Sequence, residues 1–589
     1  MFRRSIAFPI LAVPVLAVVA AANLAVLEGG TEWFVRLPSQ GTALRNVVLT
    51  ALLLAGGWAL LPREGRRAPL ETLLLVSALL FGLGSAFQFR LGHDVPPTVP
   101  PAEAARLADS VARALPRAEP AQQRREALLA IVRRNVLLRR DFEASRVDIR
   151  LARSLERAYG PDTLTRAVLD RRAPAPVDSV FYRALPVLVF LVVLGLLARA
   201  RLAPWLSAHW RLVGVGGSLL VALGMFLYLK TAGGIRGAGM APQEVLKLAL
   251  PIAWAGLLIR YHDALMPETR EKFTDAPLRI WLALLAMLSA PLVAFVLVRD
   301  FGQFLVIGVA QTLLLAWYTR STLYVILFTA AFIASGTVLA GGDLPAGVTA
   351  GTVLGVVALG VVGVGAVESF RRRDSLWIGA ALVMVVVVGA AAVLGQMEWV
   401  ADSLRTPRAR FALWLDLLDR HGDAGWWDRA RQVVESLYAF DAGRGLGTGL
   451  GQGTPFLIPN ATSDFLFSAV GEELGAAGGV MVILLYATLV VVGLRIASDL
   501  GRSSFAGLVV AGFSLLLGVQ ALIHIGGTMN VLPMTGITLP LMSLGMSSTL
   551  VTVTMIGAIL AFGARGGESA RRLVIRNPEA SPVKASTRN

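Results

Sequence analysis

Apolar stretches about as long as a bilayer is thick recur along this chain, separated by charged or glycine-rich connections. Because the hydrocarbon core of a membrane is roughly 30 Å thick, a helix needs about 20 apolar residues to cross it. We predict about fourteen such helices, near residues 5 to 27, 43 to 62, 69 to 89, 183 to 203, 211 to 230, 244 to 260, 277 to 298, 301 to 318, 321 to 340, 346 to 368, 376 to 396, 464 to 494, 505 to 528 and 540 to 563. The pattern therefore predicts an all-α polytopic membrane protein.

The short connections between these stretches carry much of the positive charge. Basic clusters lie at 62 to 67, at 199 to 211, around Arg270 and Lys272, and at 369 to 374. Since short basic loops stay on the cytoplasmic side of a membrane, we predict that both termini lie in the cytoplasm. The long polar segments 90 to 182 and 397 to 463 then lie outside the membrane.

The amino-acid composition limits the partners and the kinds of catalysis that the protein can have. The chain has 589 residues, 55% of them hydrophobic, with a net charge of +16. No basic stripe with interleaved aromatic residues is present, so we expect no nucleic-acid partner and interpret the charge as topological and lipid-facing. The absence of cysteine excludes disulfides and thiolate catalysis, and five scattered histidines form no metal-ligand pattern.

Two segments have alternative interpretations, and a third is predicted to be disordered. The first thirty residues fit either an uncleaved membrane anchor, which we favour for its length, or a secretory signal. Segment 90 to 182 has helical periodicity and is either a solvated spacer or a module that docks a partner. The tail, 564 to 589, is basic and rich in helix breakers, which predicts disorder along the anionic cytoplasmic leaflet.

The most informative stretch runs from 431 to 479 and joins an outside segment to an apolar helix. Glycines at every second position from Gly443 to Gly453 suit close backbone approach or tight turns, although flexible loops have the same spacing. Asp464 opens the apolar helix that follows. It is a candidate for chemistry, and the alternative is a helix N-cap, for which Asp is a preferred residue.

Glu472 and Glu473 lie two turns further along this helix, where carboxylates are costly unless they face a partner or a wet cavity. On a helix that is continuous from Asp464, Glu472 lies within about 80° of Asp464 and Glu473 about 180° away. The two glutamates are therefore expected to point in different directions and to have different roles.

Two polar clusters precede this stretch. Glu244 and Lys247 stand three residues apart on a predicted helix, as expected for an intramembrane ion pair that is either purely structural or part of a site. Asp300 follows Arg299 near an outside helix end, where such residues often only cap or snorkel.

A last cluster spans residues 524 to 548, where Pro533, Gly536 and Pro540 break an apolar run. Broken helices at membrane depth are tolerated only against protein or a wet cavity. This segment is therefore a candidate for lining a substrate path.

These clusters, in this order, resemble the SEDS family of bacterial cell-wall glycosyltransferases, the FtsW/RodA/SpoVE group. The motifs that carry the resemblance are GGIRGAG with Arg236, APQEVLK with Glu244 and Lys247, RDFG with Asp300, RFALWLDL with Arg410, QVVESLYAFDAG with Gln432 and Ser436, IPNATSDFLFSAVGEELG with Asp464, Glu472 and Glu473, and VLPMTGITLPLMSLGMSS with Ser543. The match covers most of residues 211 to 563.

The chain departs from the family pattern at several positions. Ala241 stands where the family has the Gln of QPSE, Arg299 replaces the Pro of PDLG, and SYGGSS has become SLGMSS with Leu544 and Met546. Asp464 and the EELG stretch are kept, so we expect activity with an altered substrate path.

The family has ten helices, and the resemblance implies additions to that core. The expected organisation is two extra N-terminal spans (1-68), a first core helix (69-89), an extracytoplasmic helical insert (90-182), the first part of the core (183-396, with an extra helix pair near 321-368), an extracytoplasmic catalytic loop (397-463), the last part of the core (464-563) and a cytoplasmic tail (564-589).

The resemblance implies a peptidoglycan glycosyltransferase of the bacterial inner membrane that polymerises lipid II for cell division or cell-shape maintenance. Asp464 is the expected catalytic base, and Arg410, Arg236 and Lys247 are the expected contacts to pyrophosphate. The further candidate substrate contacts are Glu244, Asp300, Gln432, Ser436, Glu472, Glu473 and Ser543. No cofactor is required; a divalent cation shared with Asp464 is compatible with this chemistry, although no ligand cluster demands one.

The family works with a class B penicillin-binding protein transpeptidase, so the resemblance implies such a partner besides lipid II and the membrane. Two other functions stay open at this point. Intramembrane charges and broken helices also suit a lipid II flippase or transporter, and the motif departures suit a non-catalytic scaffold of the division or elongation complex.

Overall fold

The computed structural model describes residues 7–28, 40–61, 68–93, 180–199, 202–221, 243–262, 301–320, 409–410, 412–414, 417, 426–453, 455, 458 and 460–576. Every regular element in these ranges is helical. The helices are α1 (Ala7–Glu28), α2 (Gln40–Leu60), α3 (Ala68–His93), α4 (Val180–Arg199), α5 (Leu202–Ala208), α6 (Gln243–Arg260), α7 (Phe301–Thr319), α8 (Trp426–Gly443), α9 (Leu466–Asp499), α10 (Phe505–Thr528) and α11 (Met546–Arg576). A π-helical turn, Arg211–Gly216, follows α5.

Within the described ranges, four helical segments are long and apolar enough to cross a membrane, and five shorter apolar helices accompany them. The four are Ala68–Gln88, Leu466–Asp499, Phe505–Thr528 and Met546–Arg565. The chain is therefore an all-helical, multi-pass membrane protein, as the hydrophobic pattern predicts. The spans predicted near 277 to 298, 321 to 340, 346 to 368 and 376 to 396 lie outside the described residues, as do residues 94 to 179 of the insert predicted over 90 to 182.

Helix α11 differs from its predicted bounds at both ends. The apolar stretch was expected to become helical at 540, but residues 529–545 are non-helical and α11 begins at Met546. The helix continues to Arg576, so the first part of the tail predicted from 564 onward is helical. Residues 577 to 589 lie outside the described part of the chain.

Helices α9 and α10 form the centre of the described bundle. Helix α10 packs against α6, α7, α9 and α11, and α9 also contacts α3 and α8. In a membrane such contacts stabilise through close packing, which favours small residues where backbones meet. Gly84 of α3 is one example, because an added Cβ would overlap the backbone of Met542 in the non-helical segment before α11.

The two N-terminal helices pack against each other and against α3. Their contact contains a buried amide pair, in which Asn46 Nδ2 donates to Asn23 Oδ1 over 2.9 Å. Asn23 Nδ2 in turn donates to the carbonyl of Val19 over 2.8 Å. Because a polar side chain among apolar helices needs a partner, this pair fixes how α1 and α2 face one another.

Candidate functional site

A carboxylate and a guanidinium flank one glycine in the non-helical segment between α10 and α11. A Cβ built on Gly536 would lie 3.5 Å from Asp464 Oδ2 and 3.5 Å from Arg410 Nη1. Gly536 has a φ of 77°, in the left-handed region that favours glycine. Both charged side chains are half-buried. Asp464 and Arg410 are 54 positions apart in sequence, and their charged groups therefore both lie next to Gly536.

Asp464 lies in a turn rather than on the helix that follows. The amides of Ser463 and Asp464 each donate to the carbonyl of Asn460 over 3.0 Å. Helix α9 begins at Leu466, and its N-cap residue is Phe465, which makes no side-chain capping bond. The N-cap interpretation of Asp464 is therefore wrong, because the carboxylate precedes the cap position. The angles expected between Asp464 and the two glutamates fail for the same reason, since the helix is not continuous from Asp464.

Arg410 is held by the segment that carries Gly536. Its Nη1 donates to the carbonyl of Thr535 over 2.7 Å. Nearby, Trp414 Nε1 donates to the carbonyl of Asn530 over 3.0 Å. The two bonds tie Arg410 to the middle and Trp414 to the start of the non-helical segment.

Ser543 links the non-helical segment between α10 and α11 to the turn that contains Asp464. Its hydroxyl donates to the carbonyl of Ser463 over 2.6 Å and accepts the amide of Leu539 over 2.8 Å. The amide of Leu544 also donates to the carbonyl of Thr462 over 2.7 Å. Ser543, predicted as a substrate contact, is buried and spans the two loops beside Asp464.

The glycine-rich segment that follows α8, residues 444–453, lies in a break in α9. Gly475 has φ 66° and ψ −166°, so the helix is interrupted there. Four backbone hydrogen bonds join the two segments: Thr448 to Glu472 at 2.9 Å, Gly449 to Glu473 at 3.0 Å, Ala476 to Arg444 at 2.8 Å and Ala477 to Gly445 at 3.0 Å, the donor amide first in each. In an unbroken helix the amides of Ala476 and Ala477 would bond to Glu472 and Glu473. The segment supplies replacement acceptors for two consecutive backbone hydrogen bonds of the helix. This confirms the close backbone approach expected of its glycines.

Glu472 and Glu473 are both buried immediately before this break. A Cβ built on Gly453 would lie 3.2 Å from Glu472 Oε1 and 2.9 Å from Glu473 Cγ. Both side chains therefore border the glycine-rich segment, although they leave the helix in different directions. Consecutive helical residues differ by only about 100°, so one loop can contact both.

Glu244 and Lys247 form the expected ion pair, with Lys247 Nζ 2.8 Å from Glu244 Oε2. Both are buried. Lys247 Nζ also donates to Gln520 Oε1 over 2.8 Å, and Gln303 Nε2 donates to Glu244 Oε1 over 2.7 Å. The pair therefore belongs to a polar network that joins α6, α7 and α10.

Ser436 lies on α8, one turn after the half-buried Gln432. Its hydroxyl donates to the carbonyl of Thr528 over 2.6 Å and is hydrogen-bonded to the hydroxyl of Ser468. Ser436 is completely buried and joins α8 to α9 and α10. Two other predicted site residues, Arg236 and Asp300, lie outside the described residues.

Two polar residues near the site were not identified from the sequence. Gln520 and His524 are buried on α10 and hydrogen-bond the segment that carries Gly536. Their signal was available, because polar side chains four residues apart in an apolar helix share one face and need partners.

The geometry defines a class of protein: a multi-pass helical membrane protein whose polar site is built from non-helical segments at helix ends. Residues 351–565 match the family model of FTSW_RODA_SPOVE, described as "Cell cycle protein". The chain is thus related to the FtsW/RodA/SpoVE family over these residues, which confirms the resemblance inferred from its motifs. Arg410, Asp464 and Gly536 all lie inside the matched range.

Curated relatives carry names from the same family. The chain is 39% identical over 179 residues to the peptidoglycan glycosyltransferase RodA of Mycobacterium tuberculosis (strain H37Rv), covering 30% of this chain and 36% of the relative. It is 34% identical over 244 residues to the probable peptidoglycan glycosyltransferase FtsW of Methylococcus capsulatus (strain Bath), covering 41% of this chain and 56% of the relative. The matches thus span between about a third and just over half of these relatives.

The solved structures that match the chain are more distant in sequence. One is described as "Structural coordination of polymerization and crosslinking by a peptidoglycan synthase complex", with 21% identity, a TM-score of 0.40, and coverage of 70% of this chain and 94% of that chain. A second is a crystal structure of a variant of the Rod shape determining protein RodA of Thermus thermophilus, with 19% identity, a TM-score of 0.35, and coverage of 69% and 91%.

Proposed function

We propose that this protein is a peptidoglycan glycosyltransferase that polymerises lipid II into glycan strands. One observation carries the proposal: Asp464 and Arg410 border Gly536 at a helix end, inside the range that matches the family. A base and a cation side by side are what glycosyl transfer from a pyrophosphate-linked donor requires.

In the proposed reaction, the 4-hydroxyl of one lipid-linked disaccharide attacks the anomeric carbon of the growing chain. The new bond joins the hydroxyl oxygen to that carbon, and the bond from the carbon to undecaprenyl pyrophosphate breaks. Asp464 takes the hydroxyl proton. Arg410 offsets the charge that develops on the departing pyrophosphate, for which a guanidinium fork is well suited.

Lys247 is a poorer candidate for the pyrophosphate than the sequence suggested. Its ammonium is fully buried and donates to Glu244 and Gln520. Reaching a phosphate would break these bonds and uncover the Glu244 carboxylate, which is costly at low dielectric. We therefore assign phosphate binding to Arg410, and Arg236 stays a prediction.

The proposed setting is the bacterial inner membrane, with both termini cytoplasmic and the Asp464 turn at the outer surface. A class B penicillin-binding protein is the proposed partner, and it would crosslink the strands. Among the described residues no group of three or more His, Asp or Glu is placed to hold a metal ion.

The test uses purified full-length protein with its transpeptidase partner and labelled lipid II. Asp464→Asn should lower glycan synthesis by about 10²- to 10⁴-fold, the usual contribution of a general base. Asp499→Asn is the matched control, because Asp499 is exposed at the far end of α9, about 36 Å of helix beyond the break at Gly475. It should retain wild-type activity.

The alternatives give different outcomes. A scaffold yields no glycan even from the wild type with its partner present. A flippase moves labelled lipid II across liposome membranes without making glycan. Because transporter sites are often built from broken membrane helices, the break in α9 is a reason to measure this movement. Wild-type synthesis by Asp464→Asn would show that Asp464 is not the base.

A further inference from the structure

Backbone carbonyls of the short segment that contains Gly536 accept hydrogen bonds from two sides. Arg410 Nη1 donates to Thr535 O over 2.7 Å. From α10, His524 Nδ1 is 2.7 Å from Ile537 O, and Gln520 Nε2 donates to Thr538 O over 2.9 Å. The backbone carbonyls on both sides of Gly536 are thus anchored, although the segment belongs to no helix.

The bond from His524 defines its tautomer. A carbonyl oxygen can only accept, so Nδ1 must carry the proton. His524 is buried, and its Nε2 has no hydrogen-bond partner among the described residues. The imidazole therefore contributes one directed donor to the Ile537 carbonyl.

The ion pair of α6 fixes the orientation of Gln520. An ammonium group can only donate, so the side-chain oxygen of Gln520 must face Lys247. The amide nitrogen then faces the other way, toward Thr538 O. Lys247 thus sets which end of the Gln520 amide reaches the segment.

We infer that Gln520 and His524 are positioning residues for the proposed glycosyl transfer. They hold residues 535–538 so that Gly536 stays against Asp464 and Arg410. Neither acts on the reacting atoms; both act through the backbone of the segment. The inference rests on the proposed function for its catalytic part, and on hydrogen bonds alone for its structural part.

The structural part is tested by amide hydrogen exchange of the purified full-length protein, followed over residues 529–545. His524→Leu and Gln520→Leu should both speed exchange in this segment. Ser514→Ala is the matched control, because Ser514 is buried on the same helix and its partner in the described part of the chain is Val510, in the preceding turn. It should leave exchange unchanged. Unchanged exchange in both leucine variants overturns the inference, whatever the activity.

The catalytic part is tested by steady-state glycan synthesis. His524→Leu should lower kcat about tenfold, as expected from loss of one buried hydrogen bond that positions the site, with KM nearly unchanged. His524→Asn places an amide donor near Nδ1 and should recover most of the rate. In an Arg410→Ala background, His524→Leu should have a smaller effect than in the wild type, since part of its effect acts through the position of Arg410.

The outcomes separate the two proposals. If the wild type makes no glycan with its partner, the proposed function fails, and exchange alone decides whether Gln520 and His524 hold the segment. If the wild type is active and His524→Leu matches it in kcat, the positioning role is wrong and the proposed function stands.

Discussion

Gly447 and Gly475 face each other so closely that neither position has room for a side chain. A Cβ built on Gly475 would overlap the amide nitrogen of Gly447, and one built on Gly447 would lie 2.7 Å from the nitrogen of Gly475. Both have positive φ, 85° and 66°. The glycine-rich segment can therefore enter the break in α9 only while both positions are glycine.

Replacing Gly475 should destabilise the protein strongly. Its φ and ψ lie in a region that is essentially restricted to glycine and costs other residues about 1–3 kcal/mol, and the overlap with Gly447 adds to this. We expect Gly475→Ala to lower the free energy of unfolding by about 2 kcal/mol or more. Thermal unfolding of the purified protein in detergent measures the effect.

Gly445→Ala is the matched control for this variant. A Cβ at Gly445 would meet nothing within 4 Å, and the residue keeps its carbonyl for the bond from Ala477. It should be nearly neutral. Equal destabilisation by Gly445→Ala and Gly475→Ala would mean that the segment needs flexibility rather than close approach.

The ion pair of α6 yields a second prediction. Lys247→Met leaves Glu244 buried without its cation, and breaking a buried pair in this way typically costs about 3–5 kcal/mol. We expect a large fall in the unfolding temperature for this variant. Adding Glu244→Gln removes the uncompensated charge and should recover most of the loss.

The double variant also decides between the two roles left open for the pair. If Lys247 only orients Gln520, KM for lipid II stays unchanged and kcat falls. If Lys247 binds pyrophosphate, KM rises about tenfold or more, since a charge-assisted hydrogen bond is worth about 1.5–3 kcal/mol. Steady-state kinetics of the stable double variant separates these results.

Much of the fold follows from local pattern. The length of apolar stretches predicts α3, α9 and α10 to within a few residues, and the spacing of Glu244 and Lys247 predicts their ion pair. These features depend on helical periodicity and desolvation, which act over one or two turns.

The site depends on contacts between distant segments, and there the prediction fails in part. The sequence predicts Asp464 at the start of the helix because an apolar run follows it, whereas the bonds to Asn460 keep it in a turn. The break at Gly475 requires partners from Arg444 to Gly449, which no local pattern specifies. Gln520 was overlooked because its partners come from two other parts of the chain.

Gly536 offers a third prediction, because its added Cβ would have ordinary contact distances. The nearest atoms, on Arg410 and Asp464, are 3.5 Å away. Strain should arise instead from its φ of 77°, which costs a residue with a Cβ about 1–2 kcal/mol. We expect Gly536→Ala to lower kcat about tenfold, because relaxing the turn shifts both charged groups.

Gly527→Ala is the control for this variant. An added Cβ there would also have its nearest atom 3.5 Å away, on Met534, but Gly527 is within α10 and has no positive φ. Glycan synthesis should be close to wild type. A loss that matches Gly536→Ala would argue for crowding of the segment rather than for strain at the turn.

The amide pair between α1 and α2 tests whether these helices belong to the folded unit. Asn46→Leu removes the partner of Asn23 Oδ1, and Asn23→Leu removes the acceptor of Asn46 Nδ2. Each should lower stability by about 1–2 kcal/mol. The double leucine variant should lose less than the sum, with a coupling of about 0.6–1.7 kcal/mol, the range found for hydrogen bonds between membrane helices.

Thr488→Val serves as control, because its hydroxyl is exposed and bonds only to Leu484 in its own helix. Strict additivity in thermal unfolding would mean that α1 and α2 associate through apolar packing alone, with the amides contributing nothing as a pair.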